Sequence, residues 1–160
     1  MPTICCTRFN NSTWEQNLLW RERNEIIGCI YNSPVKIKDN VPNSELIFVV
    51  EMNNQINEIM GIGFIKNCLI IGKTYKIYSD SNYNRYTYKS SFRIDKREMN
   101  QEELFYIKVL EKLLFTGYTH FKRGHGLQQL PKFILENNIF DFRNLMSNMF
   151  KTRFTDKFKE

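Results

Sequence analysis

The segment Glu45–Met52, ELIFVVEM, is the feature that most restricts what this chain of 160 residues can fold into. It is an almost continuous apolar run of strand length, and the turn-forming stretch 53–55, Asn-Asn-Gln, follows it directly. A short apolar run bounded by turn signals is typical of a strand that is covered on both faces. The segment therefore predicts a buried central strand, and with it a sheet that other elements must flank.

Further strands are predicted on both sides of this run. Residues 74–79 and 86–94 alternate polar and apolar side chains, which is typical of half-buried strands. Gly61 and Gly63 leave one strand face open for the close approach of other atoms. We predict strands at Thr3–Phe9, Ile26–Tyr31, Ile59–Ile65, Thr74–Ser79 and Tyr86–Ile94.

Helical periodicity appears in two segments. Ser12 and Glu15 have the spacing of a capping box, which predicts a helix that ends near Asn24. After Asn100 the sequence QEELFYIKVLEKLLF carries one apolar stripe, so it predicts an amphipathic helix that Gly117 ends. Together with the short connections between strands, these helices indicate an α+β fold with a curved, mostly antiparallel sheet or small β-barrel flanked by helices.

The segment 127–160 is predicted to be helical as well. A short helix at 127–136 is expected to be interrupted by Pro131. The segment 139–160 carries a Phe or Met every three to four residues, which fits either a final helix packed on the domain or an amphipathic tail that binds a partner. We favour the packed helix, so residues 1–136 form the domain and residues 137–160 lie against it.

Positive charge is concentrated in two blocks of the chain. The net charge is +6, and residues 66–97 carry eight Lys and Arg against two Asp and Glu. Residues 120–160 carry eight against four. Focused positive charge favours a polyanionic partner, because each phosphate contact releases counterions. The alternative is a solvated basic surface.

The first basic block also interleaves aromatic residues with its cations. Aromatic rings stack on bases while Lys and Arg hold the backbone, although such tyrosines also fill the cores of sheets. We predict that bases contact Tyr75, Tyr78, Tyr83 and Tyr86. We predict that phosphates contact Lys73, Lys76, Arg85, Lys89 and Arg93.

The loop YTHFKRGHGLQQLP, residues 118–131, holds both histidines of the chain. His120 and His125 lie five residues apart without neighbouring Cys or further His, which argues against a metal site. The glycines around His125 free the backbone to present N–H groups, and this suits an anion. We predict phosphate contacts from Lys122, Arg123 and His125, with an ordinary connecting loop as the alternative.

Catalysis and cofactor binding have weaker support in the sequence. No GxxxxGK[ST] phosphate-binding motif is present, and Cys5, Cys6, Cys29 and Cys68 are expected to be buried, reduced and inert. We therefore expect neither a metal nor a cofactor, and a binding protein rather than an enzyme.

Residues 3–66 resemble the PUA-like superfamily, especially the YTH and EVE domains. The shared pattern is a strand, a capped helix, a strand that ends in Tyr31-Asn32-Ser33, and the hairpin of residues 44–66, with its x-G-x-G step. The resemblance implies a cleft beside a β-barrel that holds a single-stranded or modified base. It also implies that Tyr31 is the first aromatic of a cage and that Asn32 and Ser33 contact the base edge. The second cage residue would be Tyr75, Tyr78, Tyr83 or Tyr86, because no Trp follows Trp20.

The sequence thus predicts a nucleic-acid-binding module that reads either single-stranded nucleic acid or a modified base. RNA is favoured over DNA as the ligand. Two alternatives are a protein-interaction module that docks a partner through residues 139–160 and a nucleic-acid-modifying enzyme that uses His125.

No run of about 18 apolar residues exists, so no membrane span is expected. The N-terminus lacks the apolar core of a signal peptide, which predicts an intracellular location. The absence of alanine and the wealth of Asn, Ile, Lys, Phe and Tyr suggest an AT-rich genome, such as that of a large DNA virus.

Overall fold

The structure is a computed structural model that describes residues 2–122 and 124–155. It has an α+β fold, as the sequence predicts. The strands are β1 (Thr3–Phe9), β2 (Cys29–Ser33), β3 (Leu46–Asn53), β4 (Glu58–Lys66), β5 (Tyr86–Ser90), β6 (Phe92–Asp95) and β7 (Gln128–Gln129). The helices are α1 (Asn11–Arg23), α2 (Gln101–Phe115), α3 (Lys132–Leu135) and α4 (Phe142–Arg153).

Five strands form a mixed sheet in the order β6-β4-β3-β1-β7, and β2 pairs with β5 in a separate two-stranded ribbon. The predicted central strand is indeed β3. It pairs in parallel with β1, whereas the remaining pairs are antiparallel. Over the described residues the sheet and the ribbon do not join into a closed barrel, so the barrel predicted from the sequence is not observed.

The two faces of the sheet support two separate clusters of apolar side chains. Alternate β3 residues such as Phe48 and Val50 point to the cluster that holds α2 and α4. Their neighbours Ile47 and Val49 point to the cluster that holds the β2–β5 ribbon. The sheet is therefore the middle layer of three, which explains why the segment 45–52 is apolar at nearly every position.

Gly61 and Gly63 on β4 are two positions where side chains from neighbouring strands approach the backbone closely. A Cβ atom at Gly63 would collide with the Tyr31 hydroxyl, and one at Gly61 would lie 2.7 Å from Arg93 Nη2. The close approach that the two glycines predict is thus made by Tyr31 and Arg93 from inside the protein.

Several predicted element boundaries are wrong, for local reasons. Helix α1 begins two residues earlier than expected, because Asn10 rather than Ser12 is the N-cap and forms the capping box with Thr13. Residues 74–79 are not a strand, since the Asn84 side chain accepts the backbone N–H groups of Ile77 and Tyr78 in place of a neighbouring strand.

Three further boundaries differ from the predictions. The second strand starts at Cys29 instead of Ile26, after Glu25 adopts a positive φ of 54° behind helix α1. The predicted strand 86–94 is split at Ser91, where the chain passes from the ribbon to the sheet. Pro131 precedes the first residue of α3 and caps that helix instead of interrupting it.

The described part of the C-terminal segment, up to residue 155, packs against helix α2. In α4 the buried residues are Phe142, Met146, Met149 and Phe150, all of them in the α2-side cluster. Arg153 at its end forms a salt bridge of 2.6 Å with Glu103 of α2. The apolar face of α4 is therefore part of the core. None of the helices in the described ranges has the length and apolarity needed to cross a bilayer.

Candidate nucleic-acid interface

A cleft of about 310 Å³ lies where the parallel strands β1 and β3 reach their carboxyl ends. The end of β2, the tyrosines at 78 and 83, and residues 122 and 124–126 of the loop complete its lining. Its lining residues are Thr7, Arg8, Phe9, Asn10, Thr13, Asn32, Pro34, Asn54, Tyr78, Tyr83, Lys122, Gly124, His125 and Gly126. We call this set the β1–β3 cleft.

Parallel pairing brings the ends of two distant segments to the same edge of the sheet. Phe9 at the end of β1 stands opposite Asn53 at the end of β3, and the Asn54 N–H donates to the Phe9 carbonyl at 2.8 Å. Asn10, the next residue along, caps helix α1. Crevices outside the carboxyl ends of parallel strands are the usual ligand sites of open sheets that contain such strands.

The loop with both histidines is tied to this edge by hydrogen bonds. Arg8 Nη2 donates to the Phe121 carbonyl at 3.1 Å, and Asn54 Nδ2 donates to the Lys122 carbonyl at 2.7 Å. The Arg8 guanidinium also lies 4.6 Å from the centre of the Phe121 ring. The backbone that leads into the KRGHG sequence is therefore fixed at the rim of the cleft.

Gly126 fixes the other end of the loop. Its φ of +72° is in the left-handed region, and a Cβ atom there would collide with the Ser33 hydroxyl. Glycine is the residue that tolerates both constraints. As a result, the loop and the Asn32-Ser33-Pro34 step, two features that the sequence singled out separately, are neighbours in space.

The described lining residues of the cleft carry positive charge and no carboxylate. Arg8, Lys122 and His125 are its titratable basic groups, and Asp and Glu do not occur among the described side chains that line it. Two guanidinium nitrogens of Arg8, Nε and Nη1, are buried and have no hydrogen-bond partner within the described residues. Because these two atoms are enclosed by protein, Arg8 contributes its positive charge to the cleft rather than an exposed donor.

Two of the predicted base-binding tyrosines line the cleft. Tyr78 and Tyr83 meet edge to face, with their ring centres 6.4 Å apart. Tyr78 is almost fully buried, and its hydroxyl accepts a hydrogen bond from Asn17 Nδ2 at 3.1 Å. Burial raises the pKa of Tyr78, so its hydroxyl is neutral at pH 7. Tyr83 is half-buried and presents more of its ring to the cleft than Tyr78 does.

Tyr31, the expected first cage residue, is a core residue instead. Its side chain is buried between the ribbon and the sheet, and its hydroxyl donates to Glu51 Oε2 at 2.6 Å. Burial raises the pKa of the Tyr31 hydroxyl well above its ordinary value. The cleft lining does not include Tyr31. The cage role implied by the family resemblance is therefore not supported for this residue.

Asn32 and Ser33, the expected contacts to the base edge, already have partners within the protein. Asn32 Nδ2 donates to Asn84 Oδ1, and Asn32 Oδ1 accepts from the Thr87 hydroxyl at 2.6 Å. The Ser33 hydroxyl donates to the Val35 carbonyl at 2.6 Å. Asn32 does line the cleft, but the polar atoms of its side chain hold the ribbon to residues 75–84.

Arg93 was predicted to bind phosphate, and the structure corrects this prediction. Its guanidinium forms a two-point ion pair with Glu51, at 2.7 Å and 3.0 Å, and bonds Asp95 Oδ2 at 3.0 Å. Only 6% of its side chain is exposed. Arg93 therefore neutralises Glu51 beneath helix α1 and cannot reach a ligand on the surface.

The remaining described residues of the predicted set lie outside the lining of the cleft. Tyr75 packs against Trp20, and the ammonium groups of Lys73 and Lys89 lie 4.9 Å and 5.5 Å from its ring centre. Lys76 is exposed. Tyr86 and Arg85 form a separate pair at the end of β5, and Arg123 lies outside the described residues.

A metal centre finds no support in the described part of the chain, where His, Cys, Asp and Glu side chains form no cluster of three or more. The His120 ring nitrogen Nδ1 contacts the Gly117 carbonyl at 2.7 Å. Cys5, Cys6 and Cys29 are buried as expected, whereas Cys68 is exposed. Burial raises the pKa of Cys5 to about 12, that of Cys6 to about 11 and that of Cys29 to about 12, so these thiols are poor nucleophiles.

Sequence reasoning missed the side of the cleft built from β1 and β3. The missed residues are Thr7, Arg8, Phe9, Asn10, Thr13, Pro34 and Asn54. A usable signal exists in the sequence, because both strands run into an Asn-Asn pair, at 10–11 and at 53–54. Two strands with the same polar ending suggest one shared edge, but only if the strands are known to be parallel.

Comparison with known proteins adds no relative. No family model matches the chain, and neither curated proteins nor solved structures give a significant match. The similarity of residues 3–66 to PUA-like domains therefore stays an interpretation of the sequence pattern.

Proposed function

We propose that this protein binds single-stranded nucleic acid and holds one base in the β1–β3 cleft. The observation that carries the proposal is the composition of the cleft, which combines the Tyr78 and Tyr83 rings with the cations Arg8 and Lys122 and has no carboxylate among its described lining residues. Aromatic faces next to cations suit bases and phosphates respectively. A lining without carboxylates favours an anionic ligand over a cationic one.

The size of the cleft and its chemistry favour recognition over catalysis. Its volume of about 310 Å³ is at the small end of ligand sites, which suits one nucleotide unit rather than a duplex. Cysteine is absent from the described lining residues, and His125 is exposed there without a carboxylate in that lining to orient it. A preference for RNA, or for a modified base, remains a prediction from the sequence.

Fluorescence polarisation with labelled RNA and DNA strands of about ten nucleotides tests the proposal. The strands should include modified and unmodified bases and a duplex control. We expect single strands to bind and their affinity to fall steeply with salt. Tyr83→Ala should weaken binding by about 1–3 kcal/mol, which is the range for one lost stacking contact.

Matched variants distinguish binding in the cleft from binding that depends only on the net charge of the protein. Lys122→Ala should weaken binding, whereas Lys108→Ala, which removes the same charge from the exposed face of α2, should not. His125→Ala should reduce affinity at most modestly, while abolition of turnover on a bound strand would instead indicate an enzyme. Failure of every strand to bind wild-type protein at low salt would reject the proposal.

A further inference from the structure

A pair of exposed cations lies next to the cleft, at the open end of the β2–β5 ribbon. Lys36 Nζ is 5.5 Å and Arg85 Cζ is 5.6 Å from the centre of the Tyr86 ring. One ring therefore contacts two cations, which favours conformations that keep both long side chains beside it. Both residues are exposed, and neither forms an ion pair within the described residues.

Strand pairing connects this cation pair to the cleft. Tyr86 stands directly opposite Ser33, so the two side chains emerge on the same face of the ribbon. Ser33 is the residue that Gly126 of the cleft loop abuts, and a Cβ atom at Gly126 would lie 3.0 Å from the Val35 side chain. Val35 is 47% exposed and leads directly to Lys36. A continuous surface thus runs from Gly126 over Val35 to Lys36 and Arg85.

We infer that Lys36 and Arg85, held by the Tyr86 ring, form a second phosphate subsite for the strand whose base occupies the β1–β3 cleft. This inference rests on the proposed function and adds the direction in which the strand leaves the cleft, over Val35. The ligand group is a backbone phosphodiester. Two cations on one ring, neither of them paired with a carboxylate in the described residues, suit such a group.

The test compares a long strand with a mononucleotide. A strand of about ten nucleotides reaches both subsites, whereas a mononucleotide can fill only the cleft. Binding of the strand is measured by fluorescence polarisation over a salt series. Binding of the mononucleotide is measured at millimolar concentration from amide shifts of cleft residues such as Tyr83 and Gly126 in nitrogen-15 NMR spectra.

We expect the double variant Lys36→Ala/Arg85→Ala to bind the long strand more weakly. The magnitude of its slope of log affinity against log salt should fall by about 0.7, since the one phosphate held by this subsite on a single strand contributes about that much. The mononucleotide shifts in the cleft should be unchanged. A control double variant, Lys108→Ala/Lys112→Ala, removes the same charge from exposed positions of α2 and should keep the wild-type slope.

Two different failures are distinguishable. If the double variant keeps the wild-type slope and affinity while Tyr83→Ala weakens binding, the second subsite is rejected and the proposed function stands. An equal loss of slope in the α2 control would also reject it, because net charge alone would explain the effect. If wild-type protein binds no strand, the proposed function fails together with the subsite.

Discussion

At the residue scale, the structure shows how one residue type takes opposite roles at different positions. Tyr31 is 2% exposed and bonded to Glu51, whereas Tyr83 lines the cleft. Arg93 and Arg85 differ in the same way, one in a buried ion pair and the other exposed. Residue type sets the roles that a side chain can take, and its burial in the fold decides which role it takes.

Replacing Tyr31 with Phe tests the structural role assigned to this residue. The change removes the hydrogen bond to Glu51, and we expect it to lower the free energy of unfolding by about 2 kcal/mol, the usual range for a bond to a charged group. Urea unfolding measures this loss. Binding of a single strand should be unchanged, since the ring stays in the core. Normal stability with weakened binding would instead restore Tyr31 as a cage residue.

Thiol reactivity tests the placement of the four cysteines. Burial raises the pKa values of Cys5, Cys6 and Cys29, which keeps these thiols protonated and out of reach of reagents. In native protein at pH 8 we expect an aromatic disulfide reagent to modify Cys68 rapidly and the others only after unfolding in urea. Cys68→Ser should remove the fast phase, and a second fast thiol in that variant would contradict the structure.

At the scale of elements, α4 is the part whose role the sequence left open. Its Phe and Met side chains fill the cluster beneath α2, and Phe150 lies 5.5 Å, between ring centres, from both Phe48 and Phe64. An aromatic cluster of this kind spans the helix and two central strands. Helix α4 is thus an integral element of the core, and a partner could meet only its outer face.

Removing Phe150 tests this role of α4. Phe150→Ala leaves a cavity against Phe48 and Phe64, and we expect a loss of about 3–5 kcal/mol in the free energy of unfolding. Thermal and urea unfolding measure it. The control is Asn148→Ala, on the exposed side of the same helix, which should change stability by less than about 0.5 kcal/mol. Equal stability of both variants would favour a detachable tail.

At the scale of the whole molecule, the stability of the fold depends on pH, because folding changes the pKa values of carboxyl groups. Two opposing effects act on the pKa of Glu103. Burial alone would raise this pKa, but hydrogen bonds from Arg153 and Asn100 lower it by more, so the net shift is downward. Asp95 behaves similarly, since hydrogen bonds from Arg97 and Arg93 overcome the effect of its burial. Both carboxylates are bound as anions, so folding favours their charged form.

Acid should therefore destabilise the protein. A carboxyl group whose pKa is lower in the folded state contributes its full stabilisation above its ordinary pKa, near 4.5 for Glu and 3.8 for Asp, and loses it as the pH falls through the folded value. We expect the melting temperature to drop between pH 5 and pH 3. Glu103→Gln should show a smaller drop than wild type, and an equal drop would exclude Glu103 as a contributor.

Local patterns predicted the α+β class, strand β1, helix α2 and the central strand β3, because each depends on the alternation or period of neighbouring residues. The predicted boundaries of elements were wrong where a side chain took the place of a neighbouring strand as the hydrogen-bond partner of the backbone, as the Asn84 side chain does. The position of Asn10 as N-cap could have been predicted, but Ser12 offered an equally good local pattern.

The sequence by itself determined which segments carry positive charge, aromatic rings and glycines. Only the tertiary structure decided which of them face a common cleft. The contacts that build the cleft join residues far apart in the chain, such as Arg8 with Phe121 and Asn54 with Lys122. They depend on the parallel pairing of β1 with β3, which no local period reveals. Tertiary packing also decided that Arg93, which the local pattern of the basic block predicts to bind phosphate, and Tyr31, which the family resemblance implies to be a cage residue, lie in the interior.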